Sequence, residues 1–541
     1  EPSLDYCVIK MPRWDLKKFT RVSKKIGSAM KSVGEVMAIG RNFEETIQKA
    51  IRMVDTSYTG FDPLFVDDGK SIFTNRQELE EELMNPTDYR IFAIADAMLN
   101  WDYSVDRIYE LTRIDRWFLY KLRNITDTKI ALHDYALKNI SKKLMLEAKR
   151  MGFSDKQIAS YVTDYDRVGE LDVRRARCEM RVRPFVKQID TLAAEFPCYT
   201  NYLYTTYCAT EHDIYFEDHG IIVLGSGVYR IGSSVEFDFC SVMCVRALKD
   251  IGFKTIMINY NPETVSTDFD ESDRLYFEEL SLERTLDIYE VEASQGVIVS
   301  VGGQQPNNIA MSLHKYGVNV LGTNPEDIDR AENRDTFSSL LDSLHIDQPK
   351  WNALSTVQDA QEFAQTVGYP VLIRPSYVLS GAAMNIANNQ QELNVYLKEA
   401  SSVSPDFPVV ISKFVDGAKE VEFDGVAFNG EVAVYAIAEH VENAGTHSGD
   451  ATLVLPPHTL DSKTYDIILE NSRLIARALN ISGPLNIQYL AKGDTIQVIE
   501  CNLRASRSFP FCSKVLDVDF ISIATKSMVG LLTAEDVPQH D

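Results

Sequence analysis

Residues 486–511 read NIQYLAKGDTIQVIECNLRASRSFPF. Two runs rich in Ile, Val, Tyr and Gln flank Gly493-Asp494, which predicts a strand, a tight turn and a second strand. Glu500 and Asn502 are two apart on the second strand, so their side chains share a face. A three-residue turn places Gln488 opposite Glu500, whereas a two-residue turn misses by one position. Three oxygen donors converging on one face suit a divalent cation such as Mg²⁺, which prefers hard oxygen ligands and shares them with phosphates. Arg504 and Arg507, just beyond the strand end, suit a transferred or leaving phosphate. The same residues also read as a plain hairpin with a solvent-facing acid and surface arginines.

The whole chain sets the frame for that hairpin. At 541 residues it should hold several domains, and 45% hydrophobic with 25% charged residues is an ordinary globular composition. A formal charge of −24 opposes broad contact with nucleic acid or an anionic membrane, yet leaves room for a small basic pocket. Eight scattered cysteines show no CxxC spacing, and Cys240 and Cys244 read as packing residues on one helix face. A reducing compartment fits these thiols. No apolar run is long enough to span a membrane. The chain opens EPSLDY, without an initiator Met or a signal peptide, and so reads as processed or as a piece of something longer.

Along the chain, residues 1–54 begin with a strand-like DYCVIKMP, continue through a glycine-punctuated, loop-like MKSVGEVMAIGR, and close on NFEETIQKAIRMV, a helix with Asn42 as cap. Residues 55–210 read as an all-helical module, in which RRARCEMRVR is expected to be an exposed helix face. From residue 215 to 335 strands and helices alternate as in a doubly wound parallel α/β sheet. Residues 336–541 are strand-rich, with helices between.

Several stretches outside the hairpin carry candidate chemistry. GSGVYRIG invites a dinucleotide reading, but its second and third glycines are four residues apart, and Asn259 and Asn261 stand where a ribose-binding acid is needed. YPVLIRPSYVLSGAAMN puts Arg374 at a strand end before a small-residue loop, Ser380 to Ala383, whose backbone amides can donate to phosphate. PVVISKFVDGAKEVEFD offers Lys413, a backbone edge at Val415 for a base, and Glu420 as a ribose acceptor. HVENAGTHSGD sets His447, Ser448 and Asp450 in a second glycine loop. No GxxxxGK[ST] occurs, so the phosphate cradle is not a P-loop.

These stretches, in this order, resemble the synthetase (large) component of carbamoyl-phosphate synthetase. EPSLDY, MKSVGEVMAIGR, LTRIDRWFL, VLGSGVYRIGSSVEFD, NPETVSTDFDESDRLYF, RPSYVLSGAAMN, EHVENAGTHSGDATLVLPP and VIECNLRASRSFPF carry the likeness nearly end to end. The resemblance implies an α/β chain with a pre-ATP-grasp sheet and an ATP-grasp fold, preceded by the helical linking domain. By that likeness residues 1–54 end the first ATP-grasp unit. Residues 55–210 are a helical linking and oligomerisation domain, 215–335 the pre-ATP-grasp domain, and 336–541 a second ATP-grasp domain cut short at its C-terminus.

The implied activity is ATP-dependent phosphorylation of carbamate to carbamoyl phosphate, within an enzyme that uses bicarbonate, ammonia or glutamine-derived ammonia, and two ATP. The resemblance implies Arg374, Lys413, Val415, Glu420, Gly445, Thr446, His447 and Ser448 for ATP. It implies Gln488, Glu500 and Asn502 for two Mg²⁺ or Mn²⁺ ions, with K⁺ as a further cation, and Arg504 and Arg507 for the phosphoryl group or carbamate. A glutamine amidotransferase domain or subunit and self-association are the implied partners, with neither nucleic acid nor membrane. The implied location is the cytoplasm, with the mitochondrial matrix as the alternative. Bacterial relatives carry an arginine where this chain has Ala382, so here the loop is expected to close on phosphate by backbone donors. Two rival readings are another ATP-grasp ligase, such as a biotin-dependent carboxylase, which would lack RWDLKKF and IDRWFL, and a fragment inactive on its own.

Overall fold

A computed structural model describes residues 2–19, 21–65, 69–354, 356–375, 384–403 and 409–538. The chain divides into two compact units, one of Glu1–Ile222, Gly227–Arg230 and Lys254–Ser294, the other of Val223–Ser226, Ile231–Phe253 and Gln295–Asp541.

In the first unit, β1 (Cys7–Arg13) pairs antiparallel with β2 (Gly34–Gly40) over seven residues, from Cys7↔Gly40 to Arg13↔Gly34. MKSVGEVMAIGR is therefore largely strand rather than loop. Its glycines mark the ends of a ladder whose partner lies about 30 residues earlier, a pairing that composition does not encode. The helix Phe43–Val54 follows, and Asn42 accepts from the Glu45 amide as its cap, as expected. Helices Arg76–Met84, Val105–Thr112, Lys142–Arg150 and Asp155–Tyr161 start on Asn75, Ser104, Ser141 and Ser154, each accepting an amide N–H two residues into the helix. Their apolar faces meet the longer helix Arg116–Leu132 in one core that includes Leu79, Ile108, Leu122 and Ile158.

Strands enter before the expected helical span ends. β3 (Phe185–Gln188) pairs antiparallel with β4 (Tyr202–Thr206), and β5 (Ile221–Leu224) lies where the chain passes between units. β6 (Thr255–Asn259) and β7 (Arg274–Phe277) run parallel to each other, and β7 parallel to β4. In the glycine loop the Gly227 amide donates to Asn259 Oδ1 at 2.9 Å, so this turn is held by an asparagine of the next strand.

The RRARCEMRVR helix is not a solvated face. Arg174 and Arg177 are 1% and 0% exposed, and Arg177 Nε donates to Asp155 Oδ1 at 2.8 Å. Both guanidiniums reach Asp287 Oδ1, at 2.5 Å and 3.1 Å. Lys149 completes the cluster, 2.9 Å from Asp155 and 2.6 Å from Glu283. Burial alone would push Glu283 up, but Lys149, Arg284 and Arg177 hold it well below the usual carboxylate range. Charges this deep persist only because each is paired.

In the second unit, β8 (Gly296–Ile298) leads into helices and then two antiparallel sheets. The smaller has the order β11-β10-β12-β9, built from β9 (Trp351–Leu354), β10 (Val371–Pro375), β11 (Asn385–Ala387) and β12 (Val409–Lys413). The larger has the order β15-β14-β13-β16-β17, from β13 (Lys419–Phe428), β14 (Glu431–Asn443), β15 (Leu453–Val454), β16 (Gly483–Lys492) and β17 (Thr495–Asn502). One face of the larger sheet presents Val421, Phe423, Ile487 and Tyr489, all fully buried. Tyr489 hydrogen-bonds Ser472 at 2.8 Å on the helix Ser462–Ala478, which covers that face. Each such apolar side chain contributes roughly 1.5–3 kcal/mol by burial. The opposite face is polar, and it carries the candidate site. Among the described residues no helix is long and apolar enough to cross a membrane.

Candidate functional site

Alternation along β13 puts Glu420, Glu422 and Asp424 on one face of the larger sheet, with Val421 and Phe423 on the other. The ladder sets Glu422 against Gln488 and Asp424 against Asn486, and the next ladder sets Asn486 against Asn502 and Gln488 against Glu500. The hairpin turn has two residues, Gly493 and Asp494, between the paired Lys492 and Thr495. Left alone, that register would set Gln488 against Ile499. A β-bulge corrects it: Tyr489 pairs with Val498, Gln488 with Glu500, and Ile499 is left over.

Arg334, which the sequence reading did not single out, holds the bulge. Its Nη1 donates to the Ile499 carbonyl at 2.6 Å, and its guanidinium lies 5.2 Å from the centre of the Trp351 ring. Burial pushes Arg334 down to about 10, the Arg374 cation adds to this, and Glu500 opposes it. One sequence signal was available. Arg334 opens the helix Arg334–Ser343, where the helix dipole disfavours a cation, and such local conflicts mark functional positions.

The remaining candidates fall into three groups. Around the hairpin, Arg374 Nη1 stands 3.9 Å from Glu500 Oε2. Glu420 is 8% exposed, and burial pushes it up to about 7, with His440 opposing and Glu422 and Glu500 adding to the rise. His440 Nε2 lies 2.9 Å from Glu422 Oε1; burial alone would lower it, and that hydrogen bond, together with the charge of Glu420, lifts it. Asp424 is pushed up to about 6 by burial and by Glu422.

The second group is the arginine loop and the glycine loop it touches. Arg504 Nε donates to Gln304 Oε1 at 2.7 Å; burial lowers it, while Glu500 and Glu332 sustain its charge. Arg507 Nη2 donates to the Gly449 carbonyl at 2.9 Å, and the Gly449 amide donates to His447 Nδ1 at 2.9 Å. A Cβ on Gly449 would lie 2.5 Å from Arg507 Nη1, so a larger residue there would push the guanidinium aside. Gly445, at φ +111°, opens the turn that carries Thr446, His447 and Ser448.

The third group is not drawn in. Lys413 Nζ donates instead to the Gly368 and Tyr369 carbonyls at 2.9 Å each. The half-buried Val415 gives its carbonyl to the Ala418 amide at 3.4 Å. The small-residue loop from Ser380 to Ala383 lies outside the described residues.

The hairpin fits a hard divalent cation. The Glu500 side chain is 40% exposed and its Oε1 accepts from Asn502 Nδ2 at 3.2 Å. The same nitrogen faces Asn486 Oδ1 at 3.4 Å, which leaves Asn502 Oδ1 on the other side of the amide. Among the described residues no group of three or more His, Cys, Asp or Glu side chains is placed to hold a metal. A cation here would rest on one carboxylate and two amide oxygens, with phosphate oxygens completing the shell.

Comparison with known proteins matches three adjoining family models: an oligomerisation domain of the carbamoyl-phosphate synthetase large chain at residues 35–181, a carbamoyl phosphate synthase preATP-grasp domain at 217–330, and a carbamoyl-phosphate synthase L chain ATP binding domain at 333–534. The multifunctional protein ura1 of Schizosaccharomyces pombe is 58% identical over 530 residues, 98% of this chain and 23% of that protein. The mitochondrial arginine-specific carbamoyl phosphate synthase large chain of Neurospora crassa is 57% identical over 538 residues, 98% of this chain and 45% of that one. The chain thus spans less than half the length of these relatives. Among solved structures, the biotin carboxylase domain of Hydrogenobacter thermophilus 2-oxoglutarate carboxylase superposes at a TM-score of 0.49 and 17% identity, over 59% of this chain and 72% of that chain, a likeness too loose to carry weight.

Proposed function

Since the chain belongs to the carbamoyl-phosphate synthetase large-chain family, we propose that its second unit carries the ATP-dependent phosphorylation of carbamate to carbamoyl phosphate. One observation supports this most directly: the bulged hairpin sets Gln488 opposite Glu500, with Asn502 on the same face and Arg374 3.9 Å from Glu500.

In this reading Glu420 accepts from the ribose, Val415 offers its backbone to the base, and Gly445, Thr446, His447 and Ser448 line the nucleotide, with Lys413 turning from the Gly368 and Tyr369 carbonyls to reach it. Arg374 and Arg334 share the phosphates: two neighbouring guanidiniums, one pushed down to about 10, gain from an anion placed between them. Gln488, Glu500 and Asn502 would hold Mg²⁺ or Mn²⁺, which would supply charge neutralisation at the transferring phosphoryl group. Arg507 and Arg504 orient carbamate and the phosphoryl oxygens. The residues act by position and charge, without a covalent intermediate.

The wider assignments belong to the same reading. Residues 1–54 would end a first ATP-grasp unit, 55–210 self-associate, and an amidotransferase domain or subunit deliver glutamine-derived ammonia, with K⁺ as a further cation. The cytoplasm is the proposed location, with the mitochondrial matrix as the alternative, since one relative is named mitochondrial.

The test is the reverse partial reaction, ATP formation from carbamoyl phosphate and MgADP, which needs only this one site. ATP formation that is lost in Glu500→Gln is the expected result. Equal rates in the variant would overturn the site.

A further inference from the structure

Beneath the metal hairpin lies a set of buried polar side chains to which the proposed chemistry assigns no role. Asp424 is 0% exposed, and its partners are all uncharged donors. Asp424 Oδ1 accepts from Asn486 Nδ2 at 2.8 Å and from Ser506 Oγ at 2.6 Å. Its Oδ2 accepts from Ser508 Oγ at 2.5 Å and, more weakly, from Cys512 Sγ at 3.7 Å. Glu422 lies alongside, with Oε2 taking Asn486 Nδ2 at 3.2 Å and Ser508 Oγ at 3.3 Å.

Two structural consequences follow from this one carboxylate. Ser506 and Ser508 flank Arg507, and both hydroxyls end on Asp424, so the loop that aims the arginine is fastened on either side of it. The second consequence runs through the amides. An asparagine side chain has a donor end and an acceptor end that look alike by shape, and hydrogen bonding alone decides which faces where. Asn486 must turn its nitrogen to Asp424 and Glu422, which as carboxylates can only accept. Its oxygen is then left to face Asn502 Nδ2, and Asn502 is thereby set with Oδ1 away from Asn486, free to serve as a ligand.

We propose that Asp424 is a positioning residue that fixes the arginine loop and the cation-binding amide of Asn502 together. Burying a carboxylate without a cation beside it is costly. That cost is explained if the anion orients both halves of the site at once, and its field also sustains the buried Arg504 cation.

This inference rests on the function proposed above, and its test separates the two. Asp424→Asn replaces one acceptor by a donor at constant shape, so Asn486 and the two serines can no longer all be satisfied. Ser506→Ala/Ser508→Ala releases the loop and leaves the Asn486 arm intact. In the full-length enzyme, ATP formation from carbamoyl phosphate and MgADP should fall at least tenfold in kcat for both variants, with KM for MgADP rising in Asp424→Asn, whose cation site is weakened, and staying within twofold of wild type in Ser506→Ala/Ser508→Ala, which leaves Glu420 and the cation ligands in place. Metal-free hydrogen exchange should show faster amides over residues 503–508 in both. Mn²⁺ affinity should drop several-fold in Asp424→Asn alone.

Unchanged exchange and Mn²⁺ affinity in Asp424→Asn would overturn the proposal, as would KM for MgADP rising in step with the loss of kcat in Ser506→Ala/Ser508→Ala. A wild-type enzyme forming no ATP would instead overturn the function, while exchange and Mn²⁺ binding still decide on Asp424.

Discussion

Arg334 donates to the carbonyl of Ile499, the one residue of β17 that has no partner on β16. That bond caps the bulge, and the bulge is what turns a two-residue hairpin into one with Gln488 facing Glu500. A charge-assisted hydrogen bond of this kind contributes about 1.5–3 kcal/mol.

Deleting Ile499 should therefore remove the bulge and keep the site. Glu500 would take the position of Ile499 in the regular ladder, still opposite Gln488, with Cys501 and Asn502 keeping Ile487 and Asn486 as partners. The expected result is that ATP formation survives the deletion, with circular dichroism near wild type. Arg334→Ala leaves Ile499 in place with its carbonyl uncapped, and should lose activity by roughly 10–100-fold. Loss of ATP formation in the deletion would show that the bulge does more than set the register.

Glu420 supplies a prediction about pH. Its folded value, about 7, lies above the usual 4.5, so the folded chain holds a proton there that the unfolded chain releases. Stability contributed at this position is therefore present below about pH 4.5 and falls as pH rises toward 7. In metal-free protein, Glu420→Gln should be more stable than wild type at pH 8, on the order of 1–3 kcal/mol, and no more stable at pH 4.5. Urea unfolding in EDTA at the two pH values measures this. The same variant should bind MgADP more weakly, since the ribose loses its anionic acceptor. Equal stability differences at both pH values would contradict the prediction.

Lys149 gives the first unit its test. Its ammonium is fully buried between Asp155 and Glu283, at 2.9 Å and 2.6 Å. Lys149→Met strands two carboxylates that share only arginines, and should cost about 3–5 kcal/mol in guanidinium unfolding. Adding Glu283→Gln should restore part of that loss. A cost below 1 kcal/mol for the single variant would mean that the cluster rearranges freely.

Much of this molecule was legible in its residues. Alternation put Glu500 and Asn502 on one face, Gly493-Asp494 announced the turn, and Asn42 announced a helix start that the structure places where expected. These features depend on neighbours within four residues, which a linear reading sees whole.

The rest depended on partners far away in the chain. MKSVGEVMAIGR became a strand because Cys7–Arg13 lies beside it. Arg174 and Arg177 became buried because Asp287, 113 and 110 residues later, neutralises them. A basic run gives no hint of an acid folded against it, so the solvated face was the wrong expectation. Lys413 carries the right charge for a nucleotide, yet tertiary contacts turn it to the carbonyls of Gly368 and Tyr369. The sequence by itself determined which donors the hairpin owns and that two of them share a face. Only the tertiary structure decided that Gln488 meets Glu500, because the register turns on one unpaired residue, Ile499, and that residue is held by an arginine 165 positions before it.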